Sequence, residues 1–220
     1  MWNGIEINDR VAPSVEGIKA LAEFPTSIVC DVSGRLIGTN GLFPVNKSAV
    51  TACGNAVTVK VRSGDNLMIH LALRMLKPGD ILVVDGEGDL TRALFGEIMM
   101  SVAKSRGAVA AVIDGAIRDV NAFEKAQFPC WARGINLRGP YKDGPGAVNV
   151  PVSIGGLIIN PGDIVLGDSD GVVAFSPKVA LEIAQLGKEK VAQEVATLKS
   201  IKDGSYNDSW IDTVLKAKGC

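Results

Sequence analysis

The chain has 220 residues, 47% of them hydrophobic and 21% charged, with a formal net charge of −1. That length can bury one sizeable core, so a single domain over residues 1–220 is expected, with a helical extension from about 177 to 220. The near-neutral balance and the lack of a basic stripe exclude nucleic acid and an anionic membrane as expected partners.

In chain order, residues 14–23 read as a short helix, and residues 28–32 can open a second one after Pro25, Thr26 and Ser27. Residues 55–62 alternate apolar and polar side chains, as a half-buried strand does. Residues 65–75 read as a helix with Asp65 as its N-cap. Pro78, Gly79 and Asp80 make a turn, because proline presets φ and glycine accepts a positive one. A buried strand follows at 81–84, a helix at 91–106 and a strand at 108–113. Further strands are expected near 129–133, 147–152 and 164–175, then helix from Pro177 to about Lys202 and again after Asp208. The turn-and-strand at 78–86 is echoed at 161–168, which we read as two similar local units rather than a duplication. Strands alternating with helices, followed by strand-rich sequence, predict a layered α/β domain with a mixed sheet.

Cys30, Cys53, Cys130 and Cys220 fit no zinc spacing. The first three read as buried small hydrophobes, which predicts a reducing, cytoplasmic setting. The first nine residues carry an early acid and no basic, apolar, cleavable pattern, so no signal peptide is expected, and no run is long enough for a membrane span. With His70 as the single histidine, a histidine-rich metal site is excluded.

The candidate chemistry lies between residues 96 and 119. Glu97 and Arg118 are separated by twenty residues, and Asp119 follows directly. A helix-like and then a strand-like stretch connect them, so the three side chains can meet at one sheet edge. Arg118 and Asp119 follow a very apolar strand, and strand ends in open α/β sheets are where ligands bind. Arginine offers a planar fork for a carboxylate, and aspartate offers a hard oxygen for Mg²⁺. The bland alternative is a surface ion pair, worth little. Gly96 has two readings: a packing contact inside a helix, or the start of one, where the backbone N–H groups of residues 97–99 can bind an anion. The loop 84–89 is a weak glycine-loop signal with no third glycine in register, read as bordering the site. His70 reads as a packed or capping residue, and Glu189 and Glu194 as solvated positions on a C-terminal helix.

Seven stretches make a stronger pattern together: 54–59, 64–67, 77–85, 96–97, 112–120, 161–165 and 167–173. In that order they resemble the RraA-like family, which includes divalent-metal aldolases for 4-hydroxy-4-methyl-2-oxoglutarate and 4-carboxy-4-hydroxy-2-oxoadipate. The resemblance covers most of the chain. It implies a three-layer ββα swivelling-domain-like core with a mixed sheet and C-terminal helices, assembled as a homotrimer or a homohexamer. The family's aldolase motif, an acid, twenty residues and then Arg-Asp, maps to Glu97, Arg118 and Asp119. The aldolases carry aspartate where this chain has Glu97.

The resemblance further implies Mg²⁺ (or Mn²⁺) on Asp119. Glu97 would hold metal-bound water, as would Glu194 of a neighbouring subunit, with Glu189 in reserve. The substrate would be a 2-oxo acid held at Gly96, Ile98, Met99 and Arg118. The implied activity is a pyruvate-releasing aldolase with oxaloacetate decarboxylation on the side. The alternatives are the same chemistry on another 2-oxo acid, a non-catalytic regulator that binds ribonuclease E, and a methyltransferase.

Overall fold

The structure is a computed structural model that describes residues 4–220. Met1 to Asn3, part of the segment read against a signal peptide, lie outside the described residues.

The centre of the molecule is a mixed sheet. Its long strand β3 (Ala52–Val61) pairs in parallel with β4 (Asp80–Asp85), which pairs with β6 (Ala110–Ile117), which pairs with β7 (Cys130–Ile135). Short strands β1 (Ile5–Ile7) and β8 (Gly146–Val148) extend the sheet beyond β3, and β2 (Phe43–Pro44) closes it against β7. Strand β5 (Ala93–Phe95) lies against the far end of β6. The antiparallel pair β11 (Ile164–Gly167) and β12 (Val172–Phe175) joins the opening half of β3, and β9 (Val152–Ile154) with β10 (Leu157–Ile159) forms a separate hairpin.

The sheet is buried on both faces, which explains its near-continuous apolar runs. Val57, Val59, Leu82, Val84, Ala111 and Ile113 face helices α3 (Leu67–Met75) and α4 (Glu97–Ser105). Ala56, Ile81, Val83, Val112 and Trp131 face the β9–β10 hairpin on the other side. A third apolar cluster packs α1 (Val15–Leu21), α2 (Thr26–Val32) and the start of α6 (Ala180–Lys202) over β11 and β12. The expected layering of helices, sheet and second sheet is what the chain adopts. Between β6 and β7 runs the short helix α5 (Val120–Ala126), and α7 (Trp210–Ala217) ends the chain. No helix among the described residues is long and apolar enough to cross a membrane.

Several expectations are corrected. The helix expected over 91–106 starts only at Glu97, because residues 93–95 are all buried and hydrogen-bond as a strand; a helix would bury one face. The first half of that span is locked by Ala93 N–H donating to Arg138 O and by Arg118 N–H donating to Phe95 O. Asp65 is not the N-cap of α3; Asn66 holds that position. Instead the buried Asp65 carboxylate accepts from the backbone N–H groups of Leu67, Asp143 and Gly144, tying a distant loop to the helix start. The alternation expected at 55–62 holds only in its second half, where Lys60 and Arg62 are exposed beside buried Val59 and Val61; in the first half the polar members are buried too, Asn55 donating to Asp80 and Thr58 to Val150 O. The strand expected at 147–152 is two strands, broken where Asn149 takes φ 55°. The strand expected at 164–175 is the β11–β12 hairpin. Cys130 is buried as expected, whereas Cys30 and Cys53 are only half-buried. The echoed turns share their conformation, with Gly79 at φ 87° and Gly162 at φ 84°. Their strands flank β3 in opposite directions, one parallel and one antiparallel.

Candidate functional site

Strand β6 delivers the site. It ends at Ile117, and Arg118 and Asp119 project from its C-terminal tip, half-exposed. Asp119 takes a left-handed backbone conformation, φ 60° and ψ 38°, which aspartate tolerates better than most residues but which still carries strain. That kink turns the chain from the strand into α5. Its carbonyl is then used by Ala122 N–H at 2.8 Å.

Beside it, β5 leads into Gly96, the N-cap of α4. Gly96 is extended, with φ −158°, so its need for glycine is spatial. A Cβ there would come within 2.7 Å of Asp119 Oδ2 and 3.0 Å of Arg118 Cγ. The two readings of Gly96 are thus decided: it opens the helix. The first N–H groups of a helix have no intrahelical acceptor. Glu97 N–H donates to Asp119 Oδ2 at 3.1 Å, and the next two, of Ile98 and Met99, face the same end. Arg118 Nε lies 3.6 Å from Asp119 Oδ2. Asp119 Oδ1 carries no bond among the described residues.

Two clefts meet at Asp119. One, of about 40 Å³, is lined by Asn66, Gly96, Ile98, Met99, Arg118 and Pro140 among others. The other, about 320 Å³, is lined by Glu97, Asp119, Val120, Asn121, Ala122 and Lys125. The structure therefore brings together Gly96, Glu97, Ile98, Met99, Arg118 and Asp119. It does not bring Glu189 or Glu194 to them within one chain. Both sit on α6, which packs on α1 and α2; Glu189 accepts from Gln185, and Glu194 lies 3.6 Å from Lys190.

As to a metal, the donor set is two hard carboxylates, one with a free oxygen, in an open cleft. That suits a cation such as Mg²⁺, which takes few protein oxygens and keeps waters. No group of three or more His, Cys, Asp or Glu that could hold a metal ion gathers among the described residues.

Sequence reasoning missed several residues. Asn66 is buried against Leu94 O and Met99 Sδ, and its Oδ1 has no partner. Arg92 stacks 4.1 Å over the Tyr141 ring and donates to Gly139 O, holding the loop that closes the small cleft. No local pattern announces either. The glycine loop at 84–89 borders a different cleft, about 530 Å³, lined by Asp85, Glu87, Gly88, Asp114 and Arg133 among others. There Asp114 pairs with Arg133, raising the guanidinium pKa, and also accepts from Gly155 N–H. Asp85 accepts from Glu87 N–H. His70 lines neither site cleft; burial, then the charge of Lys142, lowers its pKa.

The family model described as RraA-like, Aldolase/RraA, matches residues 26–174. A Halalkalibacterium halodurans protein named "Putative 4-hydroxy-4-methyl-2-oxoglutarate aldolase" is 37% identical over 190 residues, 86% of this chain and 90% of its own. An Arabidopsis thaliana protein, "Putative 4-hydroxy-4-methyl-2-oxoglutarate aldolase 3", is 33% identical over 167 residues, 73% of this chain and 100% of its own. Among solved structures, Streptomyces coelicolor RraAS2 is described as an unusual member of the RNase ES inhibitor RraA protein family. It superposes with a TM-score of 0.77 at 25% identity, over 84% of this chain and 96% of its own.

Proposed function

The chain belongs to the Aldolase/RraA family, and from that premise we propose that it is a divalent-metal-dependent, pyruvate-releasing aldolase acting on 2-oxo acids of the 4-hydroxy-4-methyl-2-oxoglutarate type. The observation that carries the reading is the anchoring of the Asp119 carboxylate by Glu97 N–H beside the Arg118 guanidinium. That contact puts an acid pair, a cation and free helix N–H groups at one strand tip.

In this reading Asp119 Oδ1 would ligate Mg²⁺ or Mn²⁺, and Glu97 and the Glu194 of a neighbouring copy would hold it through water. The metal supplies Lewis acidity to the oxygens of the 2-oxo acid. Ile98 and Met99 N–H groups receive the substrate carboxylate. Arg118 pairs with the 2-oxo oxygen, where negative charge gathers as the C3–C4 bond breaks. The electron pair of that bond passes into the pyruvate enolate, the 4-hydroxyl gives its proton to a water in the open cleft as its carbon becomes a carbonyl, and a water returns a proton to the enolate carbon to give pyruvate. A fixed guanidinium favours that charge more than it favours the neutral ketone, which is the requirement for catalysis. Oxaloacetate would lose CO₂ through the same enolate, so decarboxylation is expected on the side. No Schiff-base lysine is needed. A trimer or hexamer would complete the site through α6.

The test is pyruvate release, coupled to lactate dehydrogenase, from 4-hydroxy-4-methyl-2-oxoglutarate and from oxaloacetate, with Mg²⁺ or with EDTA. Metal-dependent release that disappears in Asp119→Ala is expected. A folded protein releasing no pyruvate from either compound would overturn the reading. A second reading, a regulator that binds a ribonuclease, draws on the description of the Streptomyces neighbour. It predicts retention of ribonuclease E in a pull-down by a protein that releases no pyruvate.

A further inference from the structure

The two clefts that meet at Asp119 differ in size by enough to decide how a substrate lies. The smaller, about 40 Å³, is roughly an eighth the size of the larger, too small to take a whole 2-oxo acid beside its head group. A 2-oxo acid whose head enters there, between the α4 N–H groups and Arg118, must leave its tail in the cleft of about 320 Å³. That larger cleft has an ordered charge pattern. Glu97 and Asp119 stand at the end shared with the reacting groups, and Lys125 is the one cation of its lining.

Lys125 is exposed and has no ion pair or hydrogen bond among the described residues. Its neighbours are committed elsewhere: Glu124 accepts from Lys47 N–H, and Ala126 O accepts from Lys104 Nζ. Lys125 and Asn121 are four residues apart on α5 and share a face, the one turned to the cleft. From Asp119 to Lys125 the helix rises about 9 Å. Helical side chains lean towards the N-terminus, so the ammonium reaches back along that rise towards the acid end. The span left is that of a short carbon chain, with a metal-seeking head at one end and a cation at the other.

We infer that Lys125 is a specificity-determining residue that selects 2-oxo acids ending in a second carboxylate over those ending in an apolar tail of equal length. The inference rests on the 2-oxo acid reading above and deepens it: Lys125 holds the part of the substrate that leaves.

The experiment is calorimetric titration of the Mg²⁺-loaded protein with 2-oxoglutarate and with 2-oxopentanoate, which share a five-carbon chain and differ in the distal carboxylate. Neither need turn over. The wild type is expected to favour the dicarboxylate by about fivefold, the size of an exposed ion pair, with the preference shrinking as salt rises. Lys125→Ala brings the ratio of dissociation constants to about one, Lys125→Glu reverses it and Lys125→Arg keeps it. A wild-type preference that survives in Lys125→Ala overturns the inference while leaving the 2-oxo acid site standing, as does equal binding of both ligands by the wild type. Binding of neither ligand by the folded protein overturns the 2-oxo acid reading, and the role of Lys125 with it.

Discussion

Asp114 and Asp119 sit on one strand and just past its end, in separate clefts, and the protein treats them in opposite ways. Asp114 is buried, and both its oxygens are used, one by Arg133 and one by Gly155 N–H. Asp119 is half-exposed, with one oxygen held by Glu97 N–H and the other free. A carboxylate with both oxygens already engaged by the fold stabilises the fold. One held by a single oxygen is positioned but still able to bind. Both clefts are polar, and the Asp114 cleft is larger than either that meets at Asp119. Size alone would choose Asp114.

That contrast is broken most forcefully by removing the charge and keeping the shape. Asp119→Asn can keep the left-handed backbone and the bond from Glu97 N–H, so stability should change by less than about 0.5 kcal/mol. Pyruvate release should fall by about 10³-fold, as expected for loss of a charge-stabilising group. Arg118→Lys, which lacks the fork, should lose about 10²-fold or more at similar stability. A variant of either kind with near-wild-type turnover would remove the site from this strand tip. The reverse pattern is expected at Asp114→Ala. Leaving Arg133 without its partner should cost about 3 kcal/mol, read as a fall in Tm of roughly 6–12 °C, while the protein still folded keeps most of its turnover. An unchanged Tm would show that the pair is not structural.

Gly96→Ala sharpens the comparison from the backbone side. The added Cβ meets Asp119 Oδ2 at 2.7 Å and Arg118 Cγ at 3.0 Å, so the carboxylate must shift from its bond with Glu97 N–H, while the extended φ adds no strain. Turnover should fall by about tenfold as the carboxylate is displaced, with Tm nearly unchanged. The smallest effect concerns His70, outside both clefts. Its pKa lies below the ordinary 6.5 because burial and the Lys142 charge disfavour the imidazolium. As pH falls through 6.5 the unfolded chain takes up the proton first. The stability present above that pH therefore declines until the lowered folded pKa is passed. His70→Gln should flatten this small slope in Tm between pH 7 and 5. An identical slope would assign it to other groups.

Much of the site was legible because it is local. An apolar run ending in Arg118 and Asp119 must finish at a strand tip, and an acid twenty residues earlier lies one helix away. Gly96 was legible only as a pair of alternatives, since the choice depended on whether residues 93–95 would find a strand to join. Asn66 stood in the stretch 64–67 without a role of its own, and Arg92 and Lys125 left no trace, because what places all three is contact across the fold.

The sequence by itself determined the turns, through the fixed φ of proline and the positive φ of Gly79 and Gly162, and most of the buried strands that follow them. It also determined which acids and which arginine stand at the end of β6. Only the tertiary structure decided that residues 93–95 are strand, that Asp65 ties down a loop, and that Asp114 has both oxygens bonded while Asp119 keeps a free one. Those outcomes depend on which backbone N–H groups and cations arrive from distant segments. Hydrophobic periodicity carries no information about them.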